Sequence, residues 1–584
     1  MRKRGLYITS MMIMTLAMAG CGNISGTSSD SKEVSSSTDS DKNTTITVES
    51  STESAAEKEA EEVSTINSEM FTERDQDPSY DESEAVDIKL NGTSISCDSS
   101  SVSVEGSIVT IKKEGVYVLS GTLSDGQIIV DADSSENVQI VLNGVDITCS
   151  NSACIYVKNA DKTFVTLTKG TENKLSDTGA EYEKDGDEKV DGVIYSKDDV
   201  TFNGEGSLTI CAGYNHGIVG NDDVKFTGGI YNITATGKGI KANDSIRVLD
   251  GSYEIVSKDD ALHTSNNEEE GKGYIYIAGG TFDLSSDDDG IHAEKDLTID
   301  GGTINVAKSY EGLEGATITI NGGDIDILAS DDGMNATGTS QTAAATESGK
   351  EEFEGKDFNG KDFAGMDDVE WDFDGKFGRG MGGGGMFDAV EDAVLTINGG
   401  DIYVNANGDG IDSNGYLYVY GGTVVVDGPT NDGNGPLDTG YEGIIYSGTV
   451  IAAGSSGMAE TFSEESSQYS ILYNFTDTIS EGTEVQLLDS DGNVIANHIF
   501  AKTGSSIVIS SSDIKNGSYT IKAGDTEEEI EVSSVSTSAG VSGGFGGGFG
   551  GGPGGDFGPN SDLPDNRNMT PPDKNDDRSS TESF

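Results

Sequence analysis

Acidic side chains recur at regular intervals through the middle of this 584-residue chain, each just before a short apolar strand. The strand motif is Gly-Ile-x-Ala or a close variant, as in residues 290–293, GIHA. Aligning its copies puts three sets of residues in register: Asp260, Asp289, Glu311, Asp332 and Asp409 before the glycine, Asp259, Asp288 and Asp331 one residue earlier, and Lys241, His263, His292, Glu314, Asn335 and Asp412 two residues after it. Residues that recur once per repeat are expected to stack into a ladder.

The stacked carboxylates of this ladder repel one another, and this repulsion must be relieved. Equivalent residues on adjacent strands lie about 4.8 Å apart, and two carboxylates at about 5 Å repel by roughly 3 kcal/mol at an effective dielectric constant of 20. They need shared protons, splaying into water or bound cations, and hard oxygen ligands without thiolates select calcium. The pattern predicts Ca²⁺ as cofactor, with these ligands: Asp260, Asp288, Asp289, Glu311, Glu314, Asp332, Asp409 and Asp412. The alternative is a solvated acidic face of turn-forming residues.

Two further sets of residues are candidates for chemistry. Lys241 stands beside the acids, where desolvation would lower its pKa towards the range of a general base. Such a base could remove a weakly acidic proton beside a bound cation, although a lone lysine is more often a solvated surface charge. Tyr310 and Tyr416 are candidates for stacking on a ligand. A further oxygen-rich set falls in the last coil: Asn431, Asp432, Asn434 and Asp438.

A repeat of 21 to 23 residues must position these side chains. Its turn glycines are Gly206, Gly229, Gly251, Gly280, Gly302, Gly323, Gly400 and Gly422. One unit, residues 279–300, contains three short alternating segments, TFDLS, GIHA and DLTI, separated by turns. Three strands per repeat without helices indicate an all-β protein, a parallel β-helix with coils of about 22 residues, in which each coil buries its inward side chains on its neighbours.

The N-terminal part of the chain predicts a lipid anchor and a tether. Residues 1–21 combine a positive start, an apolar stretch and a lipobox-like end at Cys21, as in a bacterial lipoprotein signal peptide. Cys21 is therefore the predicted lipid-attachment residue. Residues 22–85 are rich in Ser, Thr, Glu and Asp, which cannot bury enough apolar surface to offset chain entropy, and they predict an acidic disordered tether.

The rest of the chain divides into three parts. The parallel β-helix is predicted for residues 86–458, with a low-complexity insertion at 337–391 that contains Trp371. Residues 459–534 predict a small β domain that covers the open end of the helix, with a hairpin turn at 489–492. Residues 535–584 predict a glycine-rich disordered tail. The disulfide state of the other cysteines, Cys97, Cys149, Cys154 and Cys211, stays open, although Cys149 and Cys154 could form a bridge.

Five segments of the repeat region together resemble the clostridial carbohydrate-binding β-helix proteins, which are cell-surface lipoproteins of Gram-positive bacteria. The segments are residues 198–204 (DDVTFNG), 237–242 (GKGIKA), 310–315 (YEGLEG), 331–335 (DDGMN) and 455–459 (SSGMA). The similarity covers residues of about 86 to 525. It implies a right-handed, calcium-dressed β-helix with a shape akin to some polysaccharide lyases, which binds cellulose and acidic, pectin-like sugars. No sugar-binding residue is carried over from the family.

The residues and the resemblance lead to one expected function and two alternatives. With 103 acidic residues against 36 basic ones and a net charge of −67, the chain is not expected to bind nucleic acid. We expect a monomeric lipoprotein on the extracellular face of a Gram-positive cell membrane that binds polysaccharide with calcium. The alternatives are a calcium-dependent lyase on uronate polymers that uses Lys241, and a structural adhesin without a sugar ligand.

Overall fold

The computed structural model describes residues 70–183, 185–186, 189–339 and 389–541. The predicted signal peptide with Cys21, most of the tether, most of the insertion with Trp371 and most of the C-terminal tail lie outside these residues. Among the described residues, no helix is long and apolar enough to cross a bilayer.

The described chain forms a β-solenoid of about 11 turns, which confirms the predicted all-β parallel β-helix. Each coil contributes one strand to each of three parallel sheets, because turns of Gly, Asp and Asn separate three short strands. Sheet A contains Glu172–Asp177, Ser207–Ala212, Ile230–Ala235, Ser252–Ser257, Thr281–Ser285, Thr303–Ser309, Asp324–Ala329, Asp401–Ala406, Thr423–Asp427 and Thr449–Gly454.

The other two sheets share two long strands, Ile291–Ile299 and Leu313–Ile320, which begin in sheet B and end in sheet C. Sheet B also contains Ile155–Asn159, Gly192–Ser196, His216–Gly220, Ile240–Ala242, Leu262–Thr264, Met334–Ala336, Ile411–Ser413 and Leu437–Thr439. Sheet C also contains Lys162–Leu167, Asp199–Gly204, Asp223–Phe226, Ser245–Val248, Tyr274–Ile277, Val394–Ile397, Tyr416–Val419 and Glu442–Ile445.

The first coils are built from longer strands and two antiparallel pairs. The long strands, which pair in parallel with one another, are Val86–Gly92, Gly115–Leu123 and Asn137–Cys149. Ile95–Ser96 pairs antiparallel with the first of them, and Val102–Glu105 pairs antiparallel with Ile108–Ile111. Ile108–Ile111 and Gln127–Asp131 continue into sheet B.

The core is a set of apolar rows that run through the solenoid. In sheet B one such row is in register over seven coils and almost completely buried: Ile240, Leu262, Ile291, Leu313, Met334, Ile411 and Leu437. Burying a side chain of this size contributes about 1.5–3 kcal/mol. Since alternate residues of each strand point inwards, the residues between these rows are turned towards the outside of the solenoid.

The predicted turn glycines adopt a backbone conformation that other residues avoid, with one exception. All except Gly206 have positive φ angles, for example 103° at Gly280 and 85° at Gly422. A Cβ atom on Gly422 would lie 2.7 Å from the backbone oxygen of Gly400 in the adjacent coil. Glycine is therefore required here by both the left-handed conformation and the close approach of neighbouring coils.

Cys149 and Cys154 do not form the bridge that their spacing allowed. The thiol of Cys154 is buried and donates to the carbonyl oxygens of Ile147 and Ser176 at 3.6 and 3.2 Å. Burial raises the pKa of both thiols. Both cysteines therefore fill the core as small apolar groups with little nucleophilic character.

Residues 70–85, predicted as part of a disordered tether, are ordered in the structure, so the predicted boundary at 85 is wrong. The short helix Glu73–Gln76 begins with a capping box at Thr72, and Phe71 is buried against Tyr276. The Asp75 carboxylate is fully buried and contacts the Lys162 Nζ at 2.5 Å. The composition of this stretch is polar, but its few anchoring side chains find partners on sheet C.

The C-terminal residues close the last coil. Thr449–Gly454 pairs antiparallel with Gly504–Ser510, which pairs with Ser470–Ile479. A separate antiparallel sheet contains Glu484–Asp489, Val494–Ile499, Gly517–Ala523 and Thr526–Val532, and its first hairpin turns at the predicted residues 489–492. The predicted boundary at 534 is too early, because strand Ser536–Gly540 adds in parallel to Ser470–Ile479.

Candidate functional site

The polar ladder lies on sheet B, at the second position of each short strand. Parallel pairing without a shift brings these residues into one row: Lys241, His263, His292, Glu314, Asn335, Asp412 and Asp438. The register predicted from the glycine spacing is confirmed for the first six members. Asp438, predicted as part of a separate set in the last coil, is the seventh.

The acids before the glycine form a second row, and their carboxylates hold neighbouring coils together. The backbone N–H of Asp289 donates to Asp260 Oδ1 at 3.1 Å, and that of Glu311 donates to Asp289 Oδ1 at 3.1 Å. The Asp409 N–H donates in the same way to Asp332 Oδ1 at 2.6 Å. The backbone thus uses one oxygen of these carboxylates, a structural role that the sequence did not reveal.

The N-terminal half of the ladder contains bases next to its acids, and we call it the histidine half: Lys238, Asp260, His263, Asp289, His292 and Glu314. His263 Nδ1 lies 2.8 Å from Asp260 Oδ2. His292 Nδ1 lies 2.6 Å from Glu314 Oε2 and 3.1 Å from Asp289 Oδ2. Lys238 Nζ contacts Asp260 and also lies 2.8 Å from Asp259 Oδ1.

These contacts separate the pKa values of the histidine half. Burial lowers the pKa of His263 to about 4, against the opposing effect of Asp260. Burial alone would lower the pKa of His292, but hydrogen bonds to Asp289 and Glu314 raise it well above its usual value. Burial alone would raise the pKa of Glu314, yet His292 lowers it. At neutral pH His292 and Glu314 therefore form a compensated ion pair.

The C-terminal half contains carboxylates without bases, and we call it the acid half: Asp332, Asn335, Asp409, Asp412, Asp438 and Glu460. The carboxylate oxygens of Asp332, Asp409 and Asp412 lie within 4.8 Å of one another. Within the described ranges, no Lys, Arg or His forms an ion pair with any member of this half. Its negative charges are uncompensated by side chains.

Uncompensated burial raises the pKa values of the acid half. Burial, followed by the neighbouring carboxylates, raises the pKa of Asp332 to about 6, despite its hydrogen bond from the Asp409 backbone. The same two causes raise the pKa of Asp409 to about 7 and that of Asp412 to about 8. Burial and Asp438 raise the pKa of Glu460 to about 7. A cation bound among these groups would offset the repulsion between the carboxylates and so favour their charged forms.

Asn335 supplies a further oxygen beside these acids. Its amide nitrogen donates to Glu311 Oε1 and Oε2 at 3.3 and 3.1 Å, which fixes the orientation of the amide. Its Oδ1 is buried and has no hydrogen-bond partner. Oxygen-only ligands and an unpartnered buried carbonyl oxygen fit a hard cation such as Ca²⁺.

The remaining predicted metal ligands are placed differently. Asp288 is exposed, and its carboxylate lies within 4.8 Å of those of Asp259 and Asp260, where Lys238 already provides a positive charge. Glu311 lies between the two halves, and burial followed by repulsion from Glu314 raises its pKa. The predicted set is thus divided into two chemically distinct groups and does not form one continuous acidic site.

Lys241, the predicted lyase base, lines a polar cavity of about 330 Å³ together with Asn221, Asn243 and Ser265. Burial lowers its pKa, and Asp191 opposes that effect. None of the described residues that line this cavity is an arginine. The lowered pKa of Lys241 suits a general base, but the residues that line the cavity provide no group that would hold a uronate carboxylate.

Sheet C carries a second polar surface on its outer side, and half of it is covered. The segment 70–78 crosses this sheet, where the Asp75 carboxylate accepts from Thr201 Oγ1 at 2.8 Å and the Met70 carbonyl accepts from Arg247 at 3.2 Å. Gln139 donates to the Pro78 carbonyl at 3.2 Å. These contacts close the N-terminal half of the outer side.

The C-terminal half of that outer side is uncovered by this segment, and we call it the open face: Thr298, Asp300, Thr319, Asn321, Thr396, Asn398, Tyr416, Tyr418, Tyr420, Tyr441 and Tyr446. Asn398 donates to Asn321 Oδ1 at 2.7 Å, which aligns two amides along the solenoid. The rings of Tyr420 and Tyr446 stack with centroids 4.6 Å apart and planes within 3°.

Most tyrosines of the open face were not predicted as binding residues from the sequence. Tyr416, predicted as a stacking residue, stacks on Tyr441 with centroids 5.0 Å apart. Tyr310, the other predicted stacking residue, is exposed on a turn next to the acid half. A hydrogen bond to Asp331 raises the pKa of Tyr310 to about 12. Of the two predicted stacking residues, only Tyr416 therefore belongs to the open face.

Comparison with known proteins gives three matches. The family model described as carbohydrate-binding domain-containing protein matches residues 105–350. A carbohydrate-binding domain-containing protein of Acetivibrio thermocellus is 38% identical over 207 residues, which are 35% of this chain and 72% of that protein. A solved structure described as the polysaccharide lyase-like protein from C. thermocellum, gadolinium derivative, is 33% identical with a TM-score of 0.37, and the match covers 41% of this chain and 93% of that one.

Proposed function

The chain belongs to the family of carbohydrate-binding domain-containing proteins, and we propose that it binds polysaccharide on the open face of sheet C. The observation that carries this proposal is the combination of stacked tyrosines with rows of Thr and Asn on one surface that segment 70–78 leaves uncovered. Sugars present apolar ring faces and many hydroxyl groups, so protein sites combine aromatic rings with hydrogen-bonding side chains.

The arrangement of the tyrosines favours a preorganised site. Tyr420 and Tyr446 support each other by stacking, as do Tyr416 and Tyr441. Side chains that are already ordered lose little rotamer freedom when a ligand binds. The open face also follows the solenoid axis over several coils, which suits an extended polymer more than a short sugar. We propose a neutral, cellulose-like polysaccharide as the ligand of this face.

Calcium is the second part of the proposal, and the acid half would hold it through Asp332, Asp409, Asp412 and Asn335. The unpartnered Asn335 Oδ1 and the three neighbouring carboxylates support this assignment. Bound calcium would supply positive charge to a protein whose net charge is −67. An acidic, pectin-like polymer would otherwise be repelled, so its binding should depend on calcium to invert the local potential.

Binding measurements on the full chain test both parts. Tyr420→Ala should weaken binding to insoluble cellulose about 5-fold, since one stacking contact contributes about 1 kcal/mol. Tyr310→Ala, which removes an exposed tyrosine from another face, is the matched control and should bind normally. Equal loss in both variants, or no loss in either, would contradict the open face as the site.

A chelator separates the two ligand classes. Addition of EGTA should abolish binding to polygalacturonate and leave binding to cellulose nearly unchanged. Loss of both would mean that calcium acts by holding the fold, and persistence of both would contradict the bridging role. Binding to neither polymer in the presence of calcium would favour the structural adhesin over the carbohydrate-binding protein.

A lyase is the second candidate function, favoured by the lowered pKa of Lys241 in a polar cavity. Such an enzyme would release unsaturated uronates, which absorb in the ultraviolet. Product release that disappears in Lys241→Met, and persists in a Lys308→Met control on an exposed lysine, would establish it. No product from polygalacturonate with calcium present would leave binding as the function.

We further propose that the protein is a lipoprotein held at the cell surface through Cys21. The proposal rests on the positive start, the apolar stretch and the cysteine of residues 1–21. Cys21→Ser should release the protein into the medium, because the acyl chains attach through that residue and two chains are needed for firm retention. Retention of this variant on membranes would contradict the lipid anchor.

A further inference from the structure

The two histidines of the ladder occupy adjacent rungs. His263 pairs in register with His292, and their ring centroids lie 4.8 Å apart. One ligand atom from each histidine and one from Asp260 lie within 4.8 Å of one another. Two imidazoles and a carboxylate this close together differ in kind from the oxygen-only acid half.

The surroundings of His263 suggest a missing partner. Its Nδ1 atom is buried and lies 2.8 Å from Asp260 Oδ2, but it has no partner with the geometry of a hydrogen bond. A buried polar atom without a partner is uncommon in folded proteins. Two ligand atoms facing each other at this separation, without a hydrogen bond, are instead arranged like neighbours around a cation.

We propose that Asp260, His263 and His292 form a binding site for a borderline divalent transition metal, for which Zn²⁺ is the probe. Imidazole nitrogen suits zinc and its neighbours in the transition series, whereas calcium prefers oxygen. The site is therefore distinct from the proposed calcium site in the acid half. It requires three protein ligands and leaves further positions to water or to a fourth side chain.

Neighbouring side chains are placed to hold the ligands. Glu314 and Asp289 contact His292 Nδ1 at 2.6 and 3.1 Å, and carboxylates in such positions fix the orientation of a metal-binding imidazole. The metal would replace the proton on the other ring nitrogen, Nε2, because a histidine ligand must be neutral. Lys238 opposes metal binding, because its positively charged ammonium group contacts the Asp260 carboxylate. On metal binding this ammonium would retain its contact with Asp259, which is 2.8 Å long in the structure.

Metal titration of the full chain, freed of metal by chelation and dialysis, tests the proposal. The native protein should bind one Zn²⁺ in competition with a chromogenic chelator, and excess Ca²⁺ should not displace it. Loading with Co²⁺ should produce visible absorption bands of a site with nitrogen ligands. A native protein without such bands, or one in which Ca²⁺ displaces Zn²⁺, would overturn the proposal without reference to any variant.

Variants locate the metal. His263→Gln should lose Zn²⁺ binding, while Asp412→Asn in the acid half is the matched control and should retain it. Glu314→Gln should weaken Zn²⁺ binding about 10–100-fold, the usual effect of removing a carboxylate partner of a ligand histidine. Lys238→Met should tighten it. Unchanged binding in folded His263→Gln, or loss in Asp412→Asn, would contradict the assignment.

Discussion

The histidine half and the acid half share one backbone ladder and differ only in the side chains that occupy its rungs. In the first, Lys238 and His292 compensate the neighbouring acids, and the pKa of Glu314 is lowered. In the second, no base is present among the described residues, and the pKa of Asp412 rises to about 8. The comparison teaches that stacked carboxylates need not imply one continuous calcium site, because a base on the adjacent rung compensates the negative charge that would otherwise favour Ca²⁺.

The largest expected effect comes from removing the base of the histidine half. Lys238→Met should lower the free energy of unfolding of the metal-free protein by about 3 kcal/mol, because it removes the lysine that compensates the charge of the buried Asp260 carboxylate. Urea denaturation at neutral pH measures this change. Lys258→Met, on an exposed lysine, is the control and should change stability by less than about 0.5 kcal/mol. Equal stability of the two variants would remove the distinction between the halves.

Calcium should stabilise the protein through the acid half alone. At a concentration of 100 times its Kd, calcium should raise the free energy of unfolding by about 2.7 kcal/mol, by mass action on the folded state. Asp412→Asn should lose most of this shift, and Asp289→Asn should keep it. Melting curves with and without EGTA provide the measurement. A shift that is lost equally in both variants would mean that the ladder binds calcium as one unit.

Asp409 and Asp412 of the acid half and His263 of the histidine half should respond to pH in opposite directions. The folded-state pKa values of Asp409 and Asp412 are raised to about 7 and 8, so the protonated forms favour folding and their contribution is lost as the pH rises from about 4 to 8. The pKa of His263 is lowered to about 4, so the neutral form of this side chain favours folding. Its contribution to stability is present above the usual pKa of histidine and is lost as the pH falls towards 4.

Melting temperatures of the metal-free protein across this range test the difference. Stability should fall between pH 5 and 8, and Asp412→Asn should flatten that slope. His263→Gln should leave the slope above pH 6 intact and weaken the loss below it. A wild-type profile that rises with pH up to 8 would contradict the raised pKa values of the acid half.

The smallest expected effect concerns Asn335, the only uncharged side chain among the defined members of the acid half. Asn335→Asp would add a carboxylate beside Glu311 and Asp412, and it should lower the stability of the metal-free protein by about 1 kcal/mol through like-charge repulsion. The stabilisation by calcium should become larger by a similar amount. Asp324→Asn, on an exposed residue of sheet A, should change neither quantity. An unchanged calcium response in Asn335→Asp would place the cation elsewhere.

The ladder register could be predicted from sequence because the repeat has a nearly constant length. Once glycine turns fix the period, residues such as His263 and His292 must be neighbours, even though 29 positions separate them along the chain. The role of Asp260 as an acceptor for the Asp289 backbone could not be predicted, since it depends on the distance between turns.

Two other features of the structure could not be predicted from the sequence, for a different reason. Segment 70–78 has the composition of a tether, and only the three-dimensional structure shows that Asp75 meets Lys162 and Thr201. The tyrosines of the open face come from consecutive coils in which alternating positions carry aromatic residues. Their pattern has the period of any strand, so sequence alone does not distinguish them from ordinary outward-facing residues.

The docking of residues 70–78 has a mechanical consequence. The segment lies across the strands of sheet C before the chain enters the first coil at Val86. Tension applied from the N-terminal side would therefore reach the contacts of Met70, Asp75 and Pro78 before it reached that coil. Because several such contacts on different strands share the load, the force would act as shear across the sheet and would not peel the solenoid open from its end.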